Sequence, residues 1–373
     1  MYKKLFKPIF LILLFSFVSL SCADKKVVNS NYGYSAEKIK ARAYWPSESW
    51  KTSLPGEQGF DNVLLTKAET RFREVFPSAT SIIIVRHGYM VLEEYFNGRD
   101  KNKSLQIYSI TKTVMGALTG ICIREGYIDN VDRRIMDYFP EYFKDLTDPR
   151  KKDITLKHAL THSTGITDSR PENSGDWVKS TLEQNLAAAP GEKFNYSNTV
   201  PDLFSAIIKR KSGLDTKIFA EKYLFMPLGI SLTKWDTLPD GNYQGASGLY
   251  LTPRDMAKIG YLYLNDGVWE NKRILPEGWV RKSTEPNIKV DNKAYGYYFW
   301  VRPAENNKIG GKCRDLFTYY AYGHRGQYIG VIPEIDTVVV FTTDENDTSR
   351  DNFYIMELIQ DYIEKYLIPS IKK

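Results

Sequence analysis

The stretch Tyr108-Ser-Ile-Thr-Lys-Thr-Val-Met-Gly-Ala-Leu118 decides how this chain reads. Ser109 and Lys112 stand three apart, so on a helix their hydroxyl and amine share one face within touching distance. A serine at the head of an apolar helix also sits in the positive end of the helix dipole, which favours its alkoxide-like form. Ser-x-x-Lys occurs again at Ser35, Ser231 and Ser370, as chance allows in a chain rich in both residues. Only the Ser109 copy opens a long apolar run, Val114 to Ile123. That run predicts a buried helix carrying a candidate self-activating nucleophile. A free lysine amine, with a pKa of about 10.4, is protonated at neutral pH, so a base role for Lys112 requires burial and a helix N-terminus to favour its neutral form. Otherwise Lys112 orients Ser109 as a charge.

Outward from this helix, Ser81-Ile-Ile-Ile-Val-Arg86 and Tyr89-Met-Val-Leu-Glu-Glu-Tyr-Phe96 flank His87-Gly88. Two such runs around a two-residue turn predict a hairpin. From about Tyr127 to Asp240 the signals are helical: Thr155 caps Leu156–Thr161, and Asp202–Lys211 stops at Gly213. Thr252-Pro253 opens a helix to Asn265, with proline at the favoured first position. Strands are predicted at Tyr295–Val301, Tyr328–Ile332 and Thr337–Thr343. Phe353, Met356, Ile359, Ile363 and Leu367 then recur at helical spacing. The predicted fold is α+β: one antiparallel sheet flanked by helices, with an all-α subdomain at about 127–240 inserted into a domain spanning 61–373.

Met1-Tyr-Lys-Lys-Leu-Phe-Lys-Pro8 and the apolar run Ile9–Leu20 describe a secretory signal, residues 1–21. The run is short for a membrane span. Cys22 directly after it resembles the lipobox cysteine of bacterial lipoproteins, so residues 22–60 read as a lipid-anchored tether followed by an arm packed on the domain. The expected location is the bacterial cell envelope, with the membrane as a partner through the anchor. The formal charge of +6 falls to +3 when Lys3, Lys4 and Lys7 leave with the signal. Acidic and basic residues alternate without a basic block, which argues against nucleic acid. Cys122 and Cys313 leave room for at most one disulfide, which a chain of this size does not need.

The chain resembles the serine β-lactamase and penicillin-binding-protein superfamily, in its class C-like branch of esterases, D-peptidases and amide hydrolases. Three motifs carry the resemblance in order: Tyr108-Ser-x-x-Lys112, Tyr196-Ser-Asn198 and His324-Arg-Gly326. The connecting segments Ile154–Gly165, Pro190–Phe194 and Ala246–Ala257 are similar as well. The resemblance implies a Ser109 acyl-enzyme, with Lys112 or Tyr196 as base and Tyr196 as proton donor to the leaving group. Asn198 would offer an amide to the substrate and to Lys112, or else cap the following helix. Gly326 would leave a strand edge bare for the substrate backbone, and the N–H groups of Ser109 and Gln327 would form the oxyanion hole. β-Lactamases of the superfamily usually carry lysine where His324 stands. A mostly neutral imidazole there implies a substrate that is an ester, an amide or a peptide rather than a β-lactam.

No cofactor or metal is expected. His158 and His162 have a ligand-compatible spacing, but position 159 is alanine and His-Glu-x-x-His fails. No Gly-x-Ser-x-Gly elbow exists to support an α/β-hydrolase. A penicillin-binding D-peptidase or β-lactamase is the nearest alternative activity. A non-catalytic binding lipoprotein of the same fold is the alternative from another class, and retention of both Ser109 and Lys112 argues against it.

Overall fold

The computed structural model describes residues 42–144, 147–169, 175–303, 308–309, 312–313, 316–344, 346, 348 and 350–372. Cys22 and the predicted signal segment, residues 1–21, lie outside the described residues. Helix α1 is Asn62–Val75, capped by the Asp61 carboxylate on Leu64 N. Strands β1 (Ala79–Arg86) and β2 (Tyr89–Tyr95) form the expected hairpin. Helix α2 is Ile110–Arg124, with Ser109 at its N-cap. Short helices α3 (Leu156–Leu160), α4 (Trp177–Glu183), α5 (Leu203–Ser212) and α6 (Thr216–Ala220) follow, separated by loops and short turns. This region is not wholly helical, because Lys234–Trp235 joins Leu105–Gln106 and Leu249–Leu251 in a small sheet. Helices α7 (Pro253–Leu264) and α8 (Trp279–Thr284) follow. The remaining strands of the main sheet are β3 (Ile288–Val290), β4 (Lys293–Tyr295), β5 (Trp300–Arg302), β6 (Thr318–Gly323), β7 (Gln327–Ile332) and β8 (Thr337–Thr343), with α9 (Asn352–Tyr362) last.

The main sheet is antiparallel in the order β2-β1-β8-β7-β6-β5-β4-β3. Thr337-Val-Val-Val-Phe-Thr-Thr343 is buried along its whole length because helices cover both faces. Successive side chains alternate faces. Val338, with Ile329 of β7, therefore meets α7 at Gly260, while Phe341 meets Phe72 of α1 at 4.9 Å between ring centres. Tyr362 of α9 closes that second layer against Phe72 and Phe76. Phe72 is buried among these rings, and truncating it to alanine should cost about 3–5 kcal/mol.

Two strand expectations need correction. Tyr295–Val301 is not one strand: β4 and β5 fold back on each other, with Tyr295 opposite Trp300. The chain turns at Gly296, where any Cβ would stand 2.0 Å from Ser283 O, and at Tyr298, whose φ is 59°. The N–H of Tyr298 donates to Leu160 O at the end of α3, tying the turn to the helical region. Strand β6 lies where no strand was expected. It matters most for the site.

The described part of the arm lies on the domain. Arg42 pairs in a fork with both oxygens of Asp336, at 2.7 and 2.6 Å, and donates to Asn265 Oδ1. Trp45 packs on Tyr261 and Trp269, and buried Lys258 donates to Ser47 O and Gly229 O.

Candidate active site

The site begins with backbone strain. Tyr108 has φ of 49°, a conformation few non-glycine residues adopt. It turns the chain so that Ser109 heads α2. A serine at an N-cap ordinarily accepts a backbone N–H of the first turn. Ser109 makes no such capping bond, and its Oγ instead lies 3.0 Å from Lys112 Nζ. The predicted pair is therefore assembled by the first turn of α2 itself.

Lys112 is fully buried. Its Nζ contacts Ser109 Oγ, Asn198 Oδ1 at 3.0 Å and Ala246 O at 2.9 Å. The amide oxygen and the carbonyl can only accept, so each takes an N–H from the amine. The third position faces Ser109 Oγ, which can donate or accept. A neutral amine aims its lone pair at the serine proton there, and an ammonium aims its third N–H at the serine oxygen. The same three contacts serve both states.

Tyr196 is half-buried, with Lys112 Nζ 4.8 Å from its ring centre. The Tyr196 ring lies on His162 at 4.4 Å and 34°. His162 is buried, and its Nδ1 accepts from Ser197 N at 3.1 Å, which places any ring proton on Nε2. Desolvation, and then the charge of Lys112, hold the His162 pKa well below the ordinary histidine range. The ring is a neutral floor under Tyr196. His158, four residues earlier, uses its Nδ1 in the capping box of Thr155 at the start of α3. The two histidines thus serve separate partners.

Two acidic residues complete this half of the site. Buried Asp202 accepts from Gly245 N at 2.7 Å and Ala246 N at 2.9 Å, which fixes the loop that offers Ala246 O to Lys112. Asp168 is exposed, and it accepts from the Ser197 hydroxyl and from the backbone and side chains of Asn198 and Thr199. Asn198 therefore does not serve as a helix cap: its Oδ1 faces Lys112 and its Nδ2 faces Asp168.

The opposite wall is β6 and the turn after it. Among the described residues, β5 pairs with β6 only from Thr318 to Tyr320, so the edge from Ala321 to Gly323 has no strand beside it. Gly323 lies against the chain two residues before Ser109: a Cβ on it would stand 2.3 Å from Ile107 O. His324 is exposed, with its ring 5.3 Å from that of Tyr108. Partial burial, and then the neighbouring Arg325 cation, hold its imidazole below the usual histidine pKa. Arg325 turns away, donating to Arg350 O through its guanidinium and to Asn352 Oδ1 through its backbone N–H.

A profile of the Beta-lactamase family matches residues 67–362. The chain belongs to the β-lactamase family. It is 23% identical over 311 residues to the 6-aminohexanoate-dimer hydrolase of Paenarthrobacter ureafaciens, covering 74% of each protein. It is 22% identical over 289 residues to the teichoic acid D-alanine hydrolase of Staphylococcus aureus (strain MRSA252), covering 68% of this chain and 69% of that one. Among solved structures, a class C β-lactamase from Rhodobacter sphaeroides shares the fold with a TM-score of 0.63 at 16% identity, over 81% of this chain and 99% of that chain.

Within this β-lactamase-family fold, Gly326 and Gln327 do not take the places expected of them. Both are buried, and Gln327 has no exposed surface. Gln327 opens β7, a strand flanked by β6 and β8, and its side chain bonds the backbone of Thr343. Such an amide is closed to a substrate oxygen. Gly326 has φ of 96°, and a Cβ there would meet Ile355 at 3.0 Å and Thr343 at 3.3 Å. Its missing side chain lets α9 pack on the turn and does not open a strand edge. The open edge belongs to β6. The run Thr318-Tyr-Tyr-Ala-Tyr-Gly323, aromatic and closed by glycine, carried a signal that could have located the strand, though not its free edge.

Proposed function

We propose that the protein is an exported serine hydrolase that cleaves an ester or amide through an acyl-enzyme on Ser109. The observation that carries this reading is the Lys112 amine, held by two fixed acceptors so that its third position faces Ser109 Oγ. Ser109 Oγ attacks the carbonyl carbon as its proton passes to Lys112 Nζ. The carbonyl π pair moves onto oxygen, and collapse of that adduct expels the alcohol or amine, protonated through Tyr196. Water then attacks the acyl carbon and releases the acid, restoring Ser109. The Ser109 N–H has no intrahelical partner at the head of α2. Together with a backbone N–H of the open β6 edge it forms the oxyanion hole, where each donor is worth about 3–4 kcal/mol. Hydrolysis of a 6-aminohexanoate dimer by one relative and of teichoic acid D-alanine by another supports this substrate class. His324 supports an ester or amide over a β-lactam, since it offers no fixed charge to a carboxylate.

The test is intact-mass detection of an acyl or phosphonyl adduct after exposure to esters, D-peptides, penicillins and a fluorophosphonate. The expected adduct is on Ser109 and absent in Ser109→Ala, with Lys112→Ala slowed about a thousandfold or more because the pair acts as one unit. A Lys112→Ala protein that keeps most of its acylation rate refutes the assignment. The apolar run before Cys22 supports anchoring by lipid on that cysteine, and two or more acyl chains suffice for stable attachment. Cys22→Ser should move the protein into the soluble fraction, and unchanged partitioning refutes the anchor.

A further inference from the structure

Asn198 faces a choice that its own chemistry does not settle. A half-turn of its side-chain amide exchanges Oδ1 and Nδ2 with almost no change of shape. In one orientation Lys112 Nζ meets an acceptor. In the other it meets a donor, and both groups lose a partner in a partly buried site. Asp168 decides between them. Its Oδ1 accepts from Asn198 N at 2.7 Å, Thr199 N at 3.0 Å, Ser197 Oγ at 3.0 Å and Thr199 Oγ1 at 3.2 Å. Its Oδ2 accepts from Asn198 Nδ2 at 3.1 Å. An ionised carboxylate has no proton to give, so it admits only the Nδ2 end of the amide.

We propose that Asp168 is a positioning residue: its carboxylate locks the Asn198 amide with Oδ1 toward Lys112, and so aims the Lys112 amine at Ser109. The proposal rests on the Ser109 reading for its consequence in catalysis, and on the hydrogen-bond geometry alone for the lock. Asp168 comes from the chain just after the α3 region, Asn198 from the loop before α5, and Lys112 from α2. The carboxylate therefore fastens two loops to the orientation of a group on a third element. A bond from charged carboxylate to amide is also stronger than a neutral one.

A charge exchange tests it. In Asp168→Asn the side chain keeps its shape, but its new amide nitrogen faces Asn198 Nδ2. Relief requires Asn198 to flip and present a donor to Lys112. kcat on a p-nitrophenyl ester should fall about 10- to 100-fold with KM within threefold, the range general acid–base misalignment produces. Asn198→Asp alone places two carboxylates face to face and should lose at least as much. The double variant Asp168→Asn/Asn198→Asp restores a donor opposite every acceptor: the amide introduced at position 168 and Lys112 Nζ both point to the carboxylate introduced at position 198. It should recover kcat to within about tenfold of wild type and exceed both single variants. The same cycle is read by Tm, where the double variant should melt above either single one.

A double variant no better than Asp168→Asn in both readouts overturns the proposal, as does Asp168→Asn with kcat within threefold of wild type. If wild type carries no fluorophosphonate on Ser109, the hydrolase reading fails instead, and the Tm cycle alone still decides whether Asp168 locks the amide.

Discussion

Gly323→Ala is the sharpest probe of where the second wall of the site stands. Gly323 has φ of −112° and ψ of 162°, an extended conformation that alanine adopts without strain. The cost is therefore purely steric. The added Cβ would lie 2.3 Å from Ile107 O, and 3.1 Å from Gln327 Cβ. Ordinary contact needs roughly 1 Å more room, so β6 must retreat from the turn that carries Ser109, and a displacement of that size in a reacting geometry costs about a hundredfold in rate. Overpacking by one methyl costs about 1–3 kcal/mol, which for a domain of this size lowers Tm by about 2–6 °C. The assay is kcat and KM on a short p-nitrophenyl ester, beside a thermal melt. Gly326→Ala is the control: its Cβ would press on Ile355 and Thr343, away from Ser109, and its φ of 96° adds strain. That variant should melt at least as early as Gly323→Ala and keep a much larger share of kcat. A Gly323→Ala enzyme within threefold of wild-type kcat would refute the placement of the substrate along β6.

His324→Lys should shift preference toward a cephalosporin reporter relative to esters. Charge-assisted hydrogen bonds are roughly twice as strong as neutral ones, so the gain is about tenfold in the ratio of kcat/KM values, and an unchanged ratio would remove His324 from specificity. Stability should fall in mild acid. The pKa values of His162 and His158 are lower in the fold than in the unfolded chain, first through burial and then through nearby Lys112 and Lys157 respectively. Below about pH 6.5 the unfolded chain then binds more protons than the folded one. Their contribution is complete above that pH and is lost as pH falls toward the lower folded values. His162→Gln should flatten the decline in urea midpoint between about pH 7 and pH 5, and a decline of unchanged slope would assign it to other groups.

The parts of the site legible in the sequence are those that one turn of chain builds. Ser109 and Lys112 meet because a helix brings residues three apart together, and Thr155 and Thr252 cap their helices through bonds three residues long. Strand β8 was readable to its ends because both faces are covered and its composition is uniform. What stayed hidden depends on partners far away. The free edge of β6 is a property of where β5 stops pairing, which no stretch of β6 encodes. Asp168 acts across 30 residues and Asp202 across 43, with no local pattern to announce either. His162 stood out only for a metal-ligand spacing, whereas its role follows from the left-handed backbone (φ of 51°) that sends its ring under Tyr196.

The pairing of β1 with β8 has a consequence for the order in which this protein comes into being. Thr80 and Thr342, hydrogen-bonded across the sheet, are separated by 262 positions. Contacts of such long range are slow to form, because closure of the intervening chain must precede any reward from the pairing. The hairpin of β1 and β2 emerges early and waits with one edge unpaired, an aggregation hazard for as long as the wait lasts. Ser109 waits too, since Asn198, Ala246 and the β6 edge all follow it in the chain. A ribosome that stalls before Thr343 therefore leaves a fragment with Ser109 present and its sheet open. Under the proposed reading, catalysis could not begin before Asn198, Ala246 and β6 are made, so activity would report on how far synthesis has proceeded.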